Sequence, residues 1–264
     1  MKYKLLENNI KSKNSFLCLG LDTDINKIPK YFLSYDDPVF DFNKAMVDRL
    51  HQKVVAVKIN TAFYEARGKE GWISLERTID YINKNYPDLF TIADAKRADI
   101  GNTSKMYAKA FFDKMQFDSI TLSPYMGYDS VTEFLNYKDK NVILLSLTSN
   151  QGAKDFQLKN NLYLNVVSES QKWDNSERIM YVVGATKSDY LTKIREIAPE
   201  SFLLIPGVGS QGGDFENVIL NSTKKNNRIL INISRAIIYA STDKDFLNSA
   251  EKVVDDYNNR TSLK

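Results

Sequence analysis

The chain contains 264 residues, a length that suits one large domain or two small ones. Hydrophobic residues make up 43% of it and charged residues 26%, which is typical of a globular protein and excludes disordered, collagen-like and coiled-coil chains. The formal net charge of +3 is too small for a dedicated nucleic-acid-binding protein, so we expect no nucleic-acid partner.

Short apolar runs recur along the whole chain and predict its strands. Eight of them end near residues 22, 60, 96, 125, 149, 186, 209 and 234. Their apolar residues are continuous rather than alternating, which is typical of parallel strands buried on both faces. Segments with helical periodicity lie between them, for example those beginning at Gly71, Ser188 and Phe215.

This order of strands and helices predicts an α/β fold, a (β/α)8 TIM barrel. A doubly wound parallel sheet would give a similar pattern. No linker, low-complexity stretch or short repeat interrupts the chain, so we predict a single barrel domain over residues 1–264.

The cysteine count and the length of the apolar runs indicate the cellular compartment. The single cysteine, Cys18, cannot form an internal disulfide, and we interpret it as a buried apolar residue. The N-terminal segment lacks the apolar stretch of a signal peptide, and no apolar run reaches the ~18 residues of a membrane helix. We therefore expect a cytoplasmic protein without a membrane partner.

Polar and ionisable residues stand at the ends of several predicted strands. They are Asp22, Lys58, Asn60, Asp94, Lys96, Thr148 and Ser149. In a barrel the carboxyl ends of the strands carry the active site, so these residues predict a site at one end. Because side chains two residues apart share a face of a strand, Asp94 is expected beside Lys96 and Lys58 beside Asn60.

The segment DAKRADIGNTS, residues 94 to 104, places an amine between two carboxylates, Asp94 and Asp99. Flanking carboxylates favour the charged form of the amine, and charge clusters of this kind occur frequently at functional sites. An ion pair between Asp94 and Lys96 with a structural role alone would give the same sequence.

No metal or cofactor is expected. The only histidine, His51, is predicted at a helix end before the second strand, and a lone histidine is a poor metal site. Gly207, Gly209 and Gly212 match the spacing of a dinucleotide-binding loop, but the acidic residue required about 20 positions later is absent.

Five motifs taken together resemble one family. They are LGLDTD, VKIN, DAKRADIGNTS, PGVGSQGGD and INISRAI, and they occur on successive strands in the expected order. The chain resembles the orotidine 5'-phosphate decarboxylase family from about residue 16 to residue 240, and most closely its longer-chain, type 2-like subgroup. The resemblance implies conversion of orotidine monophosphate to uridine monophosphate (UMP) and CO2 in pyrimidine biosynthesis, without a cofactor.

The resemblance also implies catalytic roles for matching residues. Lys96 would donate a proton to pyrimidine C6, Asp94 would press against the departing carboxylate, and Lys58 would hold Asp94 and the ribose. Asp99 would enter the active site of a neighbouring subunit together with Ile100 and Thr103, which implies a homodimer.

Further residues are implied to bind substrate. Asp22 and Asn60 would lie at the ribose, and Thr148 or the adjacent Ser149 would contact the pyrimidine. The phosphate would be held by Arg235, with Gln211 reaching over it from a loop that includes Gly212. We add Ser234 to the phosphate-binding residues from the sequence itself, because Ser234-Arg235 suits the start of a short helix after the eighth strand, whose positive end would face an anion.

Two other functions remain open from the sequence. A metal-dependent sugar-phosphate decarboxylase or lyase of the same superfamily shares the Asp-x-Lys-x-x-Asp pattern, but such relatives place an acidic metal ligand at the position of Lys58 and use a catalytic histidine. A non-catalytic phosphate-binding barrel would be expected to lose a reacting group, whereas Asp94, Lys96, Asp99 and Lys58 are all present.

Overall fold

The strands of the protein pair with their neighbours in chain order to form a closed parallel barrel. The fold is known from a computed structural model that describes residues 2–208, 214–222 and 226–261. The strands are β1 (Leu17–Gly20), β2 (Ala56–Asn60), β3 (Phe90–Arg97), β4 (Ser119–Leu122), β5 (Asn141–Leu147), β6 (Ile179–Val183), β7 (Leu203–Pro206) and β8 (Ile229–Ile233). The predicted (β/α)8 barrel is confirmed.

Helices alternate with these strands. They are α1 (Lys2–Lys13), α2 (Pro38–Leu50), α3 (Ala62–Glu65), α4 (Gly68–Asn85), α5 (Gly101–Ala108), α6 (Thr132–Leu135), α7 (Leu162–Ser170), α8 (Ser188–Ile197), α9 (Phe215–Ser222), α10 (Arg235–Ile238) and α11 (Phe246–Thr261). None of the described helices is both long and apolar enough to cross a membrane.

Several strands end earlier than the apolar runs predict. β4 ends at Leu122 rather than near residue 125, because Pro124 begins a 3₁₀ turn that leaves the sheet. β7 ends at Pro206 rather than near residue 209, and Gly207 follows it with a φ of 99°. Apolar composition continues past the hydrogen-bonded ladder in both places, so it does not mark the strand end.

The packing of the chain divides it into two units. The first comprises Met1–Ala95, Met115–Phe117 and Ile233–Lys264. Within it, the register aligns Gly20 of β1 with Lys58 of β2, and Asn60 of β2 with Asp94 of β3. The carboxyl ends of these three strands thus bring their polar residues to neighbouring positions.

The segment from Asp24 to Asp41, for which the sequence indicates no role, braces this first unit. A 3₁₀ helix at Lys30–Ser34 buries Phe32, whose ring lies 5.6 Å from both Phe42 of α2 and Phe246 of α11. Asp37 then caps α2 by accepting a hydrogen bond from the Phe40 amide.

The second unit comprises Lys96–Lys114 and Asp118–Asn232. Its strands β4 to β8 are parallel, with a register shift in β5 between Leu145 and Leu147. Just beyond that shift, a Cβ atom at Gly184 would come within 2.5 Å of the Ser149 amide nitrogen. Only glycine therefore allows the chain after β6 to approach the end of β5 so closely.

Candidate active site

A buried ion-pair cluster lies at the carboxyl ends of the first three strands. The Lys58 ammonium is 2.9 Å from an Asp94 carboxylate oxygen and 3.3 Å from an Asp22 carboxylate oxygen. Only 3% of the Lys58 side chain is exposed, whereas both carboxylates are partly open to solvent. The structure thus brings together three of the residues predicted at strand ends.

The electrostatics of this cluster keep Lys58 charged. Burial alone would lower the pKa of Lys58, but the adjacent carboxylates of Asp94 and Asp22 outweigh burial and raise the pKa above its ordinary value. Lys58 is therefore a fixed cation rather than a proton donor at neutral pH.

Cys18 lies in β1 and is fully buried, as expected. Burial raises the pKa of the Cys18 thiol to about 12. The thiol remains protonated at neutral pH and is thus a poor nucleophile.

Asn60 ends β2, and its side-chain oxygen accepts a hydrogen bond of 3.2 Å from the Ala62 amide. Its side chain therefore helps to begin α3, while it remains partly exposed. This contact is by itself a structural reason for an asparagine at the end of β2, independent of any ligand.

Lys96 departs from the extended conformation of its strand. Its φ is 47°, in the left-handed region that non-glycine residues rarely adopt, and its amide donates a hydrogen bond of 2.9 Å to the Thr121 hydroxyl. The simple alternation used to place Asp94 beside Lys96 therefore does not extend through this residue. Its side chain is exposed, and such strain occurs frequently at functional sites.

Asp99 and Ile100 lead into α5, and Thr103 lies in its first turn. The Asp99 carboxylate accepts a hydrogen bond of 2.8 Å from the Ile100 amide. The Ser104 hydroxyl donates to the Asp99 carbonyl oxygen, which ties α5 to the preceding turn. Ile100 and Thr103 are exposed on this helix start.

Thr148 follows β5 and is held by a residue that the sequence does not reveal. The Gln157 side-chain oxygen accepts a hydrogen bond of 2.7 Å from the Thr148 amide, and its side-chain nitrogen donates one of 2.9 Å to the Thr148 hydroxyl. The orientation of Thr148 is therefore set from a loop nine residues later. No sequence motif connects the two.

Ser234 and Arg235 lie where β8 passes into α10. Ser234 precedes the helix and Arg235 is its first residue, as the sequence predicts. The Ser234 hydroxyl oxygen is buried without a hydrogen-bond partner in the described part of the chain. Arg235 is exposed. Gln211 and Gly212 lie outside the described residues, as does Gly209.

His51, the only histidine, packs against another aromatic ring. His51 directly follows α2, and its ring stacks on that of Tyr86 with centroids 4.3 Å apart. Across residues 2–208, 214–222 and 226–261, no three His, Cys, Asp or Glu side chains gather as a metal site.

Comparisons with known proteins point to one family. Residues 15–249 match the model of the orotidine 5'-phosphate decarboxylase / HUMPS family. The chain is 59% identical over 249 residues to an orotidine 5'-phosphate decarboxylase of Christiangramia forsetii, covering 93% of this chain and 92% of the relative. It is 54% identical over 256 residues to that of Flavobacterium johnsoniae, covering 96% and 94%.

The chain is also similar to a solved structure. The OMP decarboxylase of Leishmania donovani superimposes with a TM-score of 0.83 at 30% sequence identity, covering 98% of each chain.

Proposed function

This chain belongs to the orotidine 5'-phosphate decarboxylase / HUMPS family and decarboxylates orotidine 5'-monophosphate, and we propose that it does so without a cofactor, with Lys96 as proton donor. It is accordingly a carboxy-lyase, and its product UMP assigns it to pyrimidine nucleotide biosynthesis.

In the proposed reaction, the bond between pyrimidine C6 and the substrate carboxylate breaks, and its electron pair remains on C6 as CO2 departs. The Lys96 ammonium stabilises this negative charge and then transfers a proton to C6, so that UMP forms and a neutral amine is left. Solvent restores the proton to Lys96. A positioned general acid and a preorganised cation are the two means by which a site can favour such a carbanion.

Asp94 is proposed to lie against the substrate carboxylate and to disfavour it relative to neutral CO2. One close charge pair amounts to roughly 4 kcal/mol at an effective dielectric constant near 20, whereas enzymes lower barriers by about 8 to 23 kcal/mol. Repulsion from Asp94 therefore supplies only part of the barrier reduction, and binding energy from the phosphate must supply more of it.

The observation that supports this mechanism best is the burial of Lys58 between two carboxylates. The buried Lys58 ammonium holds Asp94 in place. The Asp94 carboxylate itself remains partly exposed, so a ligand can reach it. A metal-dependent relative would need an acidic residue where Lys58 stands, so this fixed cation favours the metal-free reaction.

The remaining predicted residues are proposed to bind substrate. Asp22 and Asn60 take the ribose, Thr148 the pyrimidine ring, and Ser234 with Arg235 the phosphate, with Gln211 and Gly212 closing over it. The buried Ser234 hydroxyl, which lacks a partner in the described ranges, supports a ligand at that turn.

We further propose that the enzyme acts as a homodimer in which Asp99, Ile100 and Thr103 reach the partner's site. Large apolar side chains are exposed around the start of α5 and the turn after β4, which supports an interface there. Their exposed fractions are 51% for Ile100, 47% for Met106 and 85% for Tyr125.

A cytoplasmic location and a single functional domain over residues 1–264 complete this proposal. The presence of only one cysteine supports a reducing compartment. Limited proteolysis that released a stably folded fragment would contradict the single domain.

The direct test follows the loss of orotidine monophosphate by absorbance with a chelator present. We expect full activity in the wild type after exhaustive chelation. Activity that disappears on chelation and returns with a divalent metal would instead favour the metal-dependent reaction.

The same assay tests Lys96. The Lys96→Ala variant should bind UMP but lose turnover by about 10³-fold or more, because both the proton donor and the cation are gone. Lys105→Ala, an exposed lysine on α5, is the matched control and should retain activity. Near-normal turnover in Lys96→Ala would refute the proposed role.

A further inference from the structure

The short segment that carries Asp22 is held on both sides by buried side chains. The Tyr64 hydroxyl donates a hydrogen bond of 3.1 Å to the Leu21 carbonyl oxygen. The Thr23 hydroxyl donates one of 2.6 Å to the side-chain oxygen of Asn43, a fully buried residue of α2. Although Asp22 lies beyond the end of β1, its neighbours are thus fixed to helices of the same unit.

Tyr239 supplies the contacts in the middle of this segment. Its hydroxyl donates to the Asp22 carbonyl oxygen at 3.1 Å and accepts from the Asp24 amide at 2.6 Å. Burial raises the pKa of Tyr239 to about 12, so the hydroxyl keeps its proton at neutral pH. One side chain, 217 residues away, therefore bridges the backbone on both sides of Asp22.

The same residue is bonded to the turn that begins with Arg235. Tyr239 directly follows α10, and its amide donates a hydrogen bond of 3.1 Å to the Arg235 carbonyl oxygen. The amides of Ile237 and Ile238 both donate to the Ser234 carbonyl oxygen, at 2.8 and 3.0 Å, so this turn is a closed unit. Tyr239 joins it to the Asp22 segment.

We infer that Tyr239 is a positioning residue that couples the phosphate-binding turn to the ribose-binding carboxylate of Asp22. This inference rests on the proposed function, which assigns the phosphate to Arg235 and the ribose to Asp22. When bound phosphate holds Arg235 in place, Tyr239 holds the Asp22 backbone in place. The Asp22 carboxylate is then oriented toward the ribose and toward Lys58. Phosphate binding then contributes to the placement of charge around the reacting ring as well as to affinity.

A double-mutant cycle separates this coupling from a structural role. Tyr239→Phe keeps the ring and removes the hydroxyl, and in the wild-type background it should lower kcat/KM for orotidine monophosphate by about 10-fold, the size of one lost hydrogen bond. In an Arg235→Ala background, where the turn no longer holds phosphate, the same change should lower kcat/KM by less than about twofold.

Tyr64→Phe is the matched control. It also removes a hydroxyl bonded to the Asp22 segment, but Tyr64 belongs to α3 and not to the Arg235 turn. Its effect on kcat/KM should be the same in both backgrounds. Thermal melts by circular dichroism establish that each variant is folded at the assay temperature.

An equal effect of Tyr239→Phe in the two backgrounds would overturn the coupling while leaving the decarboxylase activity intact. A wild type without activity on orotidine monophosphate would overturn the proposed function and, with it, this inference.

Discussion

Single residues at the carboxyl ends of the strands divide into fixed charges and strained positions. Lys58 belongs to the first kind, because its ammonium is buried between the carboxylates of Asp22 and Asp94, which hold it in place. Lys96 belongs to the second, because its backbone lies in the left-handed region. The same residue type thus serves two different purposes at the ends of the neighbouring strands β2 and β3.

Replacement of Lys58 by methionine should destabilise the fold as well as abolish activity. Removing the buried cation of an ion pair costs about 3–5 kcal/mol, because the carboxylates that faced the ammonium lose its charge and are only partly open to solvent. Urea unfolding at pH 7 measures this change. Lys84→Met removes an exposed lysine from its pair with Asp80 and should cost less than about 1 kcal/mol.

The pH dependence of stability should distinguish the wild type from Lys58→Met. The raised folded-state pKa of Lys58 means that its contribution is complete below its ordinary value of 10.5 and is lost only as pH rises above that value, so wild-type stability should not change on this account between pH 7 and 9. In Lys58→Met this contribution is absent at every pH, so the difference in free energy of unfolding between the two proteins should stay constant from pH 7 to pH 9 and shrink above pH 10.5. A difference that shrinks already between pH 7 and pH 9 would contradict a raised pKa of Lys58.

At the scale of elements, the buried guanidinium of Arg195 bonds to backbone carbonyl oxygens beyond the end of its helix. The Arg195 guanidinium of α8 is 2% exposed and donates to the carbonyl oxygens of Ala198, Pro199, Ser201 and Arg228. Carbonyl oxygens after a helix lack intrahelical donors, and a cation at the helix C-terminus also interacts favourably with the helix dipole. Arg195 therefore ties the end of α8 to the strands that follow.

Arg195→Met should lower the free energy of unfolding by about 3 kcal/mol, because several buried carbonyl groups lose their donor at once. Lys193→Met, an exposed change on the same helix, should alter it by less than about 0.5 kcal/mol. Urea unfolding followed by circular dichroism provides the comparison, and equal effects of the two changes would show that the carbonyl contacts contribute nothing.

The sequence predicts elements better than it predicts their partners. Continuous apolar runs indicated all eight strands, because burial on both faces leaves a strong signal, and the polar residues at their ends indicated Asp22, Lys58 and Asp94 as neighbours. Gln157 and Tyr239 were not predicted, because a glutamine or tyrosine in a loop carries no signal of what it bonds to. The left-handed backbone of Lys96 was also missed, since non-glycine residues adopt it only when surrounding structure imposes it.

At the scale of the whole molecule, the proposed sharing of Asp99 between subunits makes a prediction about mixtures. Lys96→Ala and Asp99→Ala should each be inactive alone. Mixed under conditions of subunit exchange, they should recover about a quarter of wild-type activity, because about half of the dimers are mixed and each mixed dimer contains one intact site.

Lys96→Ala mixed with Asp94→Ala is the control for this experiment. Both residues would serve the same subunit's site, so no mixed dimer would contain an intact one and activity should not return. Recovery in this control, or none in the test mixture despite demonstrated exchange, would contradict the shared site.

The left-handed backbone of Lys96 affects the balance between thermal stability and turnover in this enzyme. A left-handed conformation costs a side-chain-bearing residue about 1–2 kcal/mol, a penalty that glycine escapes. Lys96→Gly should thus melt at a higher temperature than the natural protein even though it no longer turns over substrate. A higher melting temperature for Lys96→Gly would show that selection has retained the Lys96 amine at the expense of thermal stability.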